Sequence, residues 1–216
     1  MENLIADAFI EPFPHLIIKN FYNDDELKDI WEELDFLTKP NKLMGTREYG
    51  GVVNYTNAKA LVLDDVYSSK FRPISNILTV TRKIFDSEIL NAFSNVHDCL
   101  SIAKSCNWDI TKVRYYHDGD DYRPHVDMQM QFLAFSYFFK EPKKFEGGEL
   151  YFPDYDYEYS CNNNSIIMLP GWVKHGVKKV TIKDSDYFDG CGRYSITTFF
   201  SNKERSKNVE RLNFGS

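Results

Sequence analysis

Past Trp108 the chain changes rhythm, and that change constrains its fold more than any other feature. Short runs rich in Phe, Tyr, Ile and Val alternate with clusters of Gly, Pro, Asp and Asn. Such punctuation marks an all-β region of short, closely connected strands. Candidate strands are 112–116, 124–128, 132–139, 149–152, 165–169, 173–177 and 193–200. Before Trp108 the spacing is helical. Leu27, Ile30, Trp31, Leu34 and Leu37 form one apolar stripe and predict a helix from about Asp24 to Leu37, with Asn23 and Glu26 as a capping box. Ile77, Leu78, Thr81, Ile84 and Phe85, then Ile89, Phe93 and Leu100, continue helical spacing to about Lys104. Residues 41–70, with Gly45, Gly50 and Gly51, read as loop plus short strands. The expectation is one domain over 1–216, with helical support over about 1–108, a β core over about 109–201 and a polar tail over 202–216. Seven or so strands behind a helical layer predict a mainly β fold, a two-sheet sandwich or barrel backed by helices.

Inside that β region stands an ordered set of chemistry-bearing residues: His125-Val126-Asp127, then His175, then Arg193-Tyr194-Ser195. Side chains alternate along a strand, so 125 and 127 are expected on one face, about 7 Å apart. A neighbouring strand can supply the third donor. Two imidazoles and one carboxylate can hold one face of an octahedral iron(II) and leave three positions open. The same alternation puts Arg193 and Ser195 together, and a guanidinium there can grip a carboxylate with two prongs. Open metal positions beside a carboxylate anchor describe a place for a keto acid. An isolated His-x-Asp is more often a surface histidine beside a turn carboxylate; the ordered set makes the metal reading the stronger one. A zinc hydrolase could also use two His and a carboxylate, but the chain has no H-E-x-x-H, and that reading leaves Arg193 unexplained.

These residues resemble the iron(II)- and 2-oxoglutarate-dependent oxygenases, most closely their prolyl-4-hydroxylase-like branch. The likeness runs through Val113-Arg114-Tyr115-Tyr116-His117-Asp118-Gly119, Tyr122-Arg123-Pro124-His125-Val126-Asp127, Glu146-Gly147-Gly148-Glu149-Leu150, and Pro170-Gly171-Trp172 through His175-Gly176-Val177. It covers 110–201 fairly continuously. The resemblance implies a double-stranded β-helix (jelly roll) with iron(II) on His125, Asp127 and His175. It further implies 2-oxoglutarate held by Arg193 with Tyr116 and Ser195, O2 as co-substrate, and ascorbate as reductant. Lys183, eight residues after His175, competes with Arg193 as the anchor, and Tyr115 competes with Tyr116. The aspartate favours hydroxylation over halogenation. A prolyl residue in a protein or peptide is the substrate implied. The long, partly glycine-containing segment 41–70 is expected to be the lid, since loops of that size inside compact domains are commonly functional. The alternatives are an oxygenase of a small molecule or nucleobase, and a catalytically silent jelly-roll binding module.

Composition narrows the partners. The net charge of -6 argues against a broad attraction to nucleic acid, and no apolar run reaches the roughly 18–20 residues that cross a bilayer. The start Met1-Glu2-Asn3-Leu4-Ile5 lacks the pattern of a signal peptide. Cys99, Cys106, Cys161 and Cys191 show no C-x-x-C spacing and are expected as free thiols in the cytoplasm. The oligomeric state stays open. His97 is expected to be structural, and His117 to lie at the surface or the mouth of the site. Tyr137, Phe138 and Phe139 are expected to include one ligand contact, Trp172 to pack, and Gly147-Gly148 to make a turn with no chemistry. Asp154, Asp156 and Glu158 read as the outward face of a hairpin, with an acidic ridge for basic tails as the lesser reading.

Overall fold

The structure is a computed structural model that describes residues 5–38, 42–46, 55–67, 70–127, 130–183 and 189–202. The first helix, α1 (Asp24–Leu37), forms where its stripe predicts it and buries Ile30, Leu34 and Leu37. Asn23 Oδ1 accepts from the Glu26 amide at 2.9 Å, and Glu26 Oε2 accepts from the Asn23 amide at 2.8 Å. Such a box satisfies two donors that would otherwise lack partners at the helix start. The helical stretch that follows is broken into α2 (Leu63–Val66), α3 (Asn76–Val80), α4 (Ser87–Ser94) and three 3-10 segments, Arg72–Ile74, Thr81–Phe85 and Asp98–Ser105. Its interruptions are local caps: Ser75 accepts from the Leu78 amide, and His97 Nδ1 from the Cys99 amide.

The helical support expected over about 1–108 also holds two strands the sequence reading missed, β1 (Ile5–Phe9) and β2 (His15–Lys19), while β3 (Lys59–Val62) falls in the stretch read as loop plus short strands. The physical reason is visible in β2, where four consecutive residues are buried. A short strand covered on both faces shows no alternation and cannot be told from a helical turn by periodicity. The later strands are β4 (Trp108–Tyr116), β5 (Tyr122–His125), β6 (Phe132–Phe138), β7 (Phe145–Gly147), β8 (Leu150–Phe152), β9 (Tyr157–Tyr159), β10 (Ser165–Pro170), β11 (His175–Val177), β12 (Val180–Ile182) and β13 (Arg193–Ser201). The short β7, β9 and β12 were not expected. The expected tail lies, from 203 onward, outside the described residues, as do 41, 47–54 and 68–69 of the expected lid.

Among the described residues the larger sheet runs β1-β2-β10-β6-β13-β4-β3, a four-stranded sheet runs β5-β11-β8-β9, and β12 pairs with β7. The central strands of the larger sheet, β10, β6 and β13, are buried on both faces, whereas the edge strand β1 is exposed, and strand parity sorts the buried residues between two cores. Phe132, Ala134, Phe138, Ile166, Met168, Tyr194, Ile196 and Phe200 pack with Ile30, Leu34 and Phe93 of the helical layer. Leu133, Phe135, Tyr137, Ile167, Leu169 and Phe199 pack with Leu150, Phe152 and Val177 of the smaller sheet. The architecture is therefore mainly β with supporting helices on one side. The space between the two sheets is where the polar residues collect.

Candidate metal centre

His125 ends β5 and His175 begins β11, and the two stand directly opposite each other across that antiparallel pair. Asp127 was expected on the same strand as His125. Instead β5 stops at His125, and Asp127 is fixed beyond it: its amide donates to the Gly171 carbonyl at 3.1 Å, and its carbonyl accepts from the Met130 amide at 2.9 Å. Gly171 is required there, since a Cβ at that position would lie 1.9 Å from the Met130 carbonyl oxygen. The carboxylate reaches back to both rings. Asp127 Oδ2 lies 3.8 Å from His125 Nε2 and 3.5 Å from His175 Nε2, and the three candidate ligand atoms all fall within 4.8 Å of one another.

Both imidazoles are oriented from behind. His125 Nδ1 lies 3.0 Å from the Arg123 carbonyl and His175 Nδ1 lies 2.9 Å from the Val173 carbonyl. A carbonyl only accepts, so each Nδ1 carries the hydrogen and each Nε2 lone pair points into the cluster. Tyr122 stacks on the His125 ring at 4.0 Å, and Phe135 meets His175 edge-on at 5.2 Å. Burial, and then the neighbouring His175, push the His125 pKa down to about 4; burial also lowers that of His175. Neutral imidazoles are the form that binds a metal.

The triad shares its cleft with Tyr116, Tyr122, Arg114, Phe135, Leu150, Val177, Arg193 and Ser195. Arg193 is the telling member. It is 1% exposed, yet among the described residues its Nε and Nη1 have no hydrogen-bond partner, and Nη2 meets the Cys161 sulfur at 3.7 Å. The guanidinium is sandwiched between the rings of Tyr116 and Tyr137, 4.7 Å from each. Two such contacts are worth about 1–2 kcal/mol each when desolvated, whereas burying a cation costs several kcal/mol or more. The rings therefore offset only part of the cost, and an anion is the missing partner. The Tyr137 hydroxyl, also buried and without a partner, adds a donor beside it. This donor set fits a dicarboxylate held at one end by Arg193.

The strands set the remaining candidates apart in space. Tyr116 faces Arg193 across the β4–β13 ladder, whereas Tyr115 points to the helical side, with its hydroxyl 3.1 Å from His117 Nδ1. Lys183 is exposed just past β12. β13 lies between β6 and β4, so Arg193 is no edge-strand charge. Ser195 lines the cleft with its Oγ 3.4 Å from Thr197 Oγ1. Two expectations need correction. Trp172 does not pack; it is 53% exposed. The Gly147-Gly148 turn does bear on the site, because a Cβ on Gly148 would come within 2.8 Å of Arg193 Cδ. Of the acidic hairpin residues, Asp154 and Glu158 pair with Lys174 and Lys178, which removes most of the proposed ridge. Arg114, Tyr122 and Lys112 were not singled out from the sequence, although Arg114 and Lys112 share a strand face with Tyr116.

Residues 111–201 match the family model described as the 2OG-Fe(II) oxygenase superfamily, and the candidate triad falls inside the matched segment. The chain as a whole shares its fold with a prolyl-4-hydroxylase of Pseudomonas putida, at 15% identity and a TM-score of 0.56, over 88% of this chain and 92% of that one. A viral collagen prolyl hydroxylase of Paramecium bursaria Chlorella virus-1 follows at 14% identity and 0.51, over 86% and 94%. A non-heme α-ketoglutarate-dependent epimerase of nogalamycin biosynthesis aligns at 10% identity and 0.54, over 87% and 77%. The shared fold is the double-stranded β-helix. No curated protein matches the sequence.

Proposed function

We propose that this 2-oxoglutarate/iron(II) oxygenase hydroxylates a prolyl residue in a protein or peptide. The observation that carries the oxygenase half is the buried Arg193, with open donor positions in the same cleft as the His125/Asp127/His175 cluster. The prolyl half is supported by two fold relatives that are prolyl hydroxylases and by the Tyr116-to-Asp127 segment, and it rests on analogy. Four free cysteines suit a reducing compartment, so we propose the cytoplasm as its place of action.

His125, Asp127 and His175 would hold iron(II), which when bound couples oxidative decarboxylation of 2-oxoglutarate by O2 to oxidation of the substrate, with ascorbate as a reductant for the metal. The chain's own work is positioning. The Arg123 and Val173 carbonyls hold both Nε2 atoms toward the metal side. Arg193 and the Tyr137 hydroxyl receive the distal carboxylate, and Tyr116 walls the guanidinium on one face. Phe135, Leu150 and Val177 keep the inner cleft apolar and limit water around that ion pair.

The test is succinate release with iron(II), 2-oxoglutarate and ascorbate, with and without proline-containing peptides, read together with mass spectrometry of the peptides. A gain of one oxygen on proline that disappears in His175→Ala is the expected result. Turnover of a nucleobase or a small molecule, with no proline oxidised across a broad peptide set, would leave the oxygenase and remove the prolyl assignment.

A further inference from the structure

We propose that Cys161 is an oxidation site that closes the cosubstrate pocket: a hydroperoxide converts its thiol to a sulfinate, and that anion takes the place on Arg193 that 2-oxoglutarate would hold. This rests on the reading of Arg193 as the cosubstrate anchor and adds a control to it.

Cys161 stands in the loop between β9 and β10, half-buried, with the exposed Asn162 beside it. Its sulfur touches two groups of opposite kind. The thiol donates to the Gly148 carbonyl at 3.3 Å, and Arg193 Nη2 donates to the sulfur at 3.7 Å. Gly148 also backs the Arg193 stem, where a Cβ would come within 2.8 Å of Cδ. Turn, sulfur and guanidinium are thus held against one another. A thiol sulfur is a weak acceptor, so this contact does little for the cation.

Stronger acceptors are missing around it. Arg193 is 1% exposed, and its Nε and Nη1 have no hydrogen-bond partner among the described residues; the buried Tyr137 hydroxyl has none either. The neighbouring Tyr159 hydroxyl is occupied, since it donates to Ser165 Oγ at 2.8 Å. These open donors suit an anion with two oxygens on one centre. A carboxylate is one such group. A sulfinate is another, and its sulfur is already in contact with the guanidinium. Cys106 shows the opposite setting: its thiol donates to Gln131 Oε1 at 3.7 Å, and burial pushes it up to about 11. Thiols react where a cation stands beside them and are inert where burial alone acts.

The chemistry balances with a hydroperoxide as oxidant. The sulfur attacks the terminal peroxide oxygen, the O–O bond breaks and an S–O bond forms. The departing oxygen takes the thiol proton and leaves as an alcohol, or as water from hydrogen peroxide. Sulfur loses two electrons, the peroxide gains them, and the product is the sulfenic acid. A second equivalent repeats the exchange and gives the sulfinic acid, which releases its proton to solvent. The two sulfinate oxygens can then take a two-pronged hold on the guanidinium. A dicarboxylate arriving later meets a neutralised cation.

The experiment treats full-length protein with hydrogen peroxide, removes the excess with catalase, loads manganese(II) and titrates 2-oxoglutarate by calorimetry. Peptide mass spectrometry should find two added oxygens on Cys161. Affinity for 2-oxoglutarate should fall at least about tenfold, the lower end of what a charge-assisted contact is worth. Peroxide-treated Cys161→Ala, compared with its own untreated affinity, should show no such fall. Cys161→Asp places a carboxylate where the sulfinate would stand. It should bind 2-oxoglutarate as weakly as the oxidised protein and, without 2-oxoglutarate, melt no lower than the wild type. A Cys161 left unmodified while the exposed Cys99 is oxidised overturns the proposal. So does a sulfinate at Cys161 that leaves affinity unchanged, or an equal fall in Cys161→Ala. Arg193→Leu separates this from the anchor reading. If that variant loses affinity and oxidised Cys161 does not, the proposal falls and the anchor stands; if neither loses it, the anchor falls as well.

Discussion

The two faces of the larger sheet are built from the same strands and obey opposite rules. On the helical face Tyr194, Ile196 and Phe200 of β13 sink into an apolar layer with Phe138, Phe93 and Phe132. On the other face the same strand presents Arg193, Ser195 and Thr197, all buried and all polar. One face is closed by apolar packing; the other holds a cation whose Nε and Nη1 find no hydrogen-bond partner among the described residues. Burial without a partner costs free energy, and a ligand's carboxylate at Arg193, as we propose, would offset it. The difference teaches which substitutions should cost function and which should cost stability.

The sharpest break comes at the metal. Asp127→Ala should abolish coupled turnover and lower metal affinity by more than the roughly 10–100-fold that loss of an outer hydrogen-bond partner costs. Its melting temperature without metal should stay near that of the wild type, because the carboxylate makes no hydrogen bond that the fold depends on. Metal titration and calorimetry of one preparation check both. Unchanged metal affinity would remove Asp127 from the site.

Arg193→Leu should separate the faces by sign. Losing one member of a buried ion pair costs about 3–5 kcal/mol, or on the order of 10²–10³ in 2-oxoglutarate affinity. Without 2-oxoglutarate the same change removes a buried charge that lacks a full set of partners, so stability should hold or rise. Lys183→Ala should leave 2-oxoglutarate affinity unchanged. A large effect at Lys183 and none at Arg193 would move the anchor and undo the charge argument. On the helical face Phe138→Ala should cost about 3–5 kcal/mol of stability, as an emptied core position does, and leave the 2-oxoglutarate affinity of the folded fraction intact.

This comparison also explains what could be read in the sequence. Runs rich in Phe, Tyr, Ile and Val between turn residues placed β6, β10 and β13 within a residue of their observed ends, and β4 at its end, although β4 starts four residues earlier than expected. Strand alternation put Arg193 and Ser195 on a common face. The α1 helix was legible because its stripe and its cap agree. β2 is as buried as those strands but only five residues long, and β7, β9 and β12 are three residues each, too short for a run or a period to stand out. The His-x-Asp spacing pointed to two residues that the fold does bring together, for an incomplete reason. The two share a site because Asp127 is tied to the Gly171 carbonyl, a long-range contact, and not because β5 continues past His125. Lys112 and Arg114 carried no motif, and only the fold shows that they line one cleft with Phe199 and Met130.

The smallest expected effect is also the finest test of how the two faces depend on backbone. Gly119 and Gly148 both hold left-handed backbone, at φ +81° and +77°. An alanine at either should cost about 1–2 kcal/mol from that conformation alone. Their surroundings differ. A Cβ on Gly119 meets nothing within 4 Å, whereas one on Gly148 presses on Arg193 Cδ at 2.8 Å and Val180 Cγ2 at 3.2 Å. Both variants should therefore melt lower by similar amounts, and only Gly148→Ala should also weaken 2-oxoglutarate binding, by about tenfold or less, as the arginine stem shifts. Displacing a guanidinium by a few tenths of an ångström strains a two-pronged contact more than a packed ring, which is why the loss belongs to affinity. Equal affinities in the two variants would mean that the Arg193 stem has slack, and that the turn before β8 shapes the loop without setting the anchor.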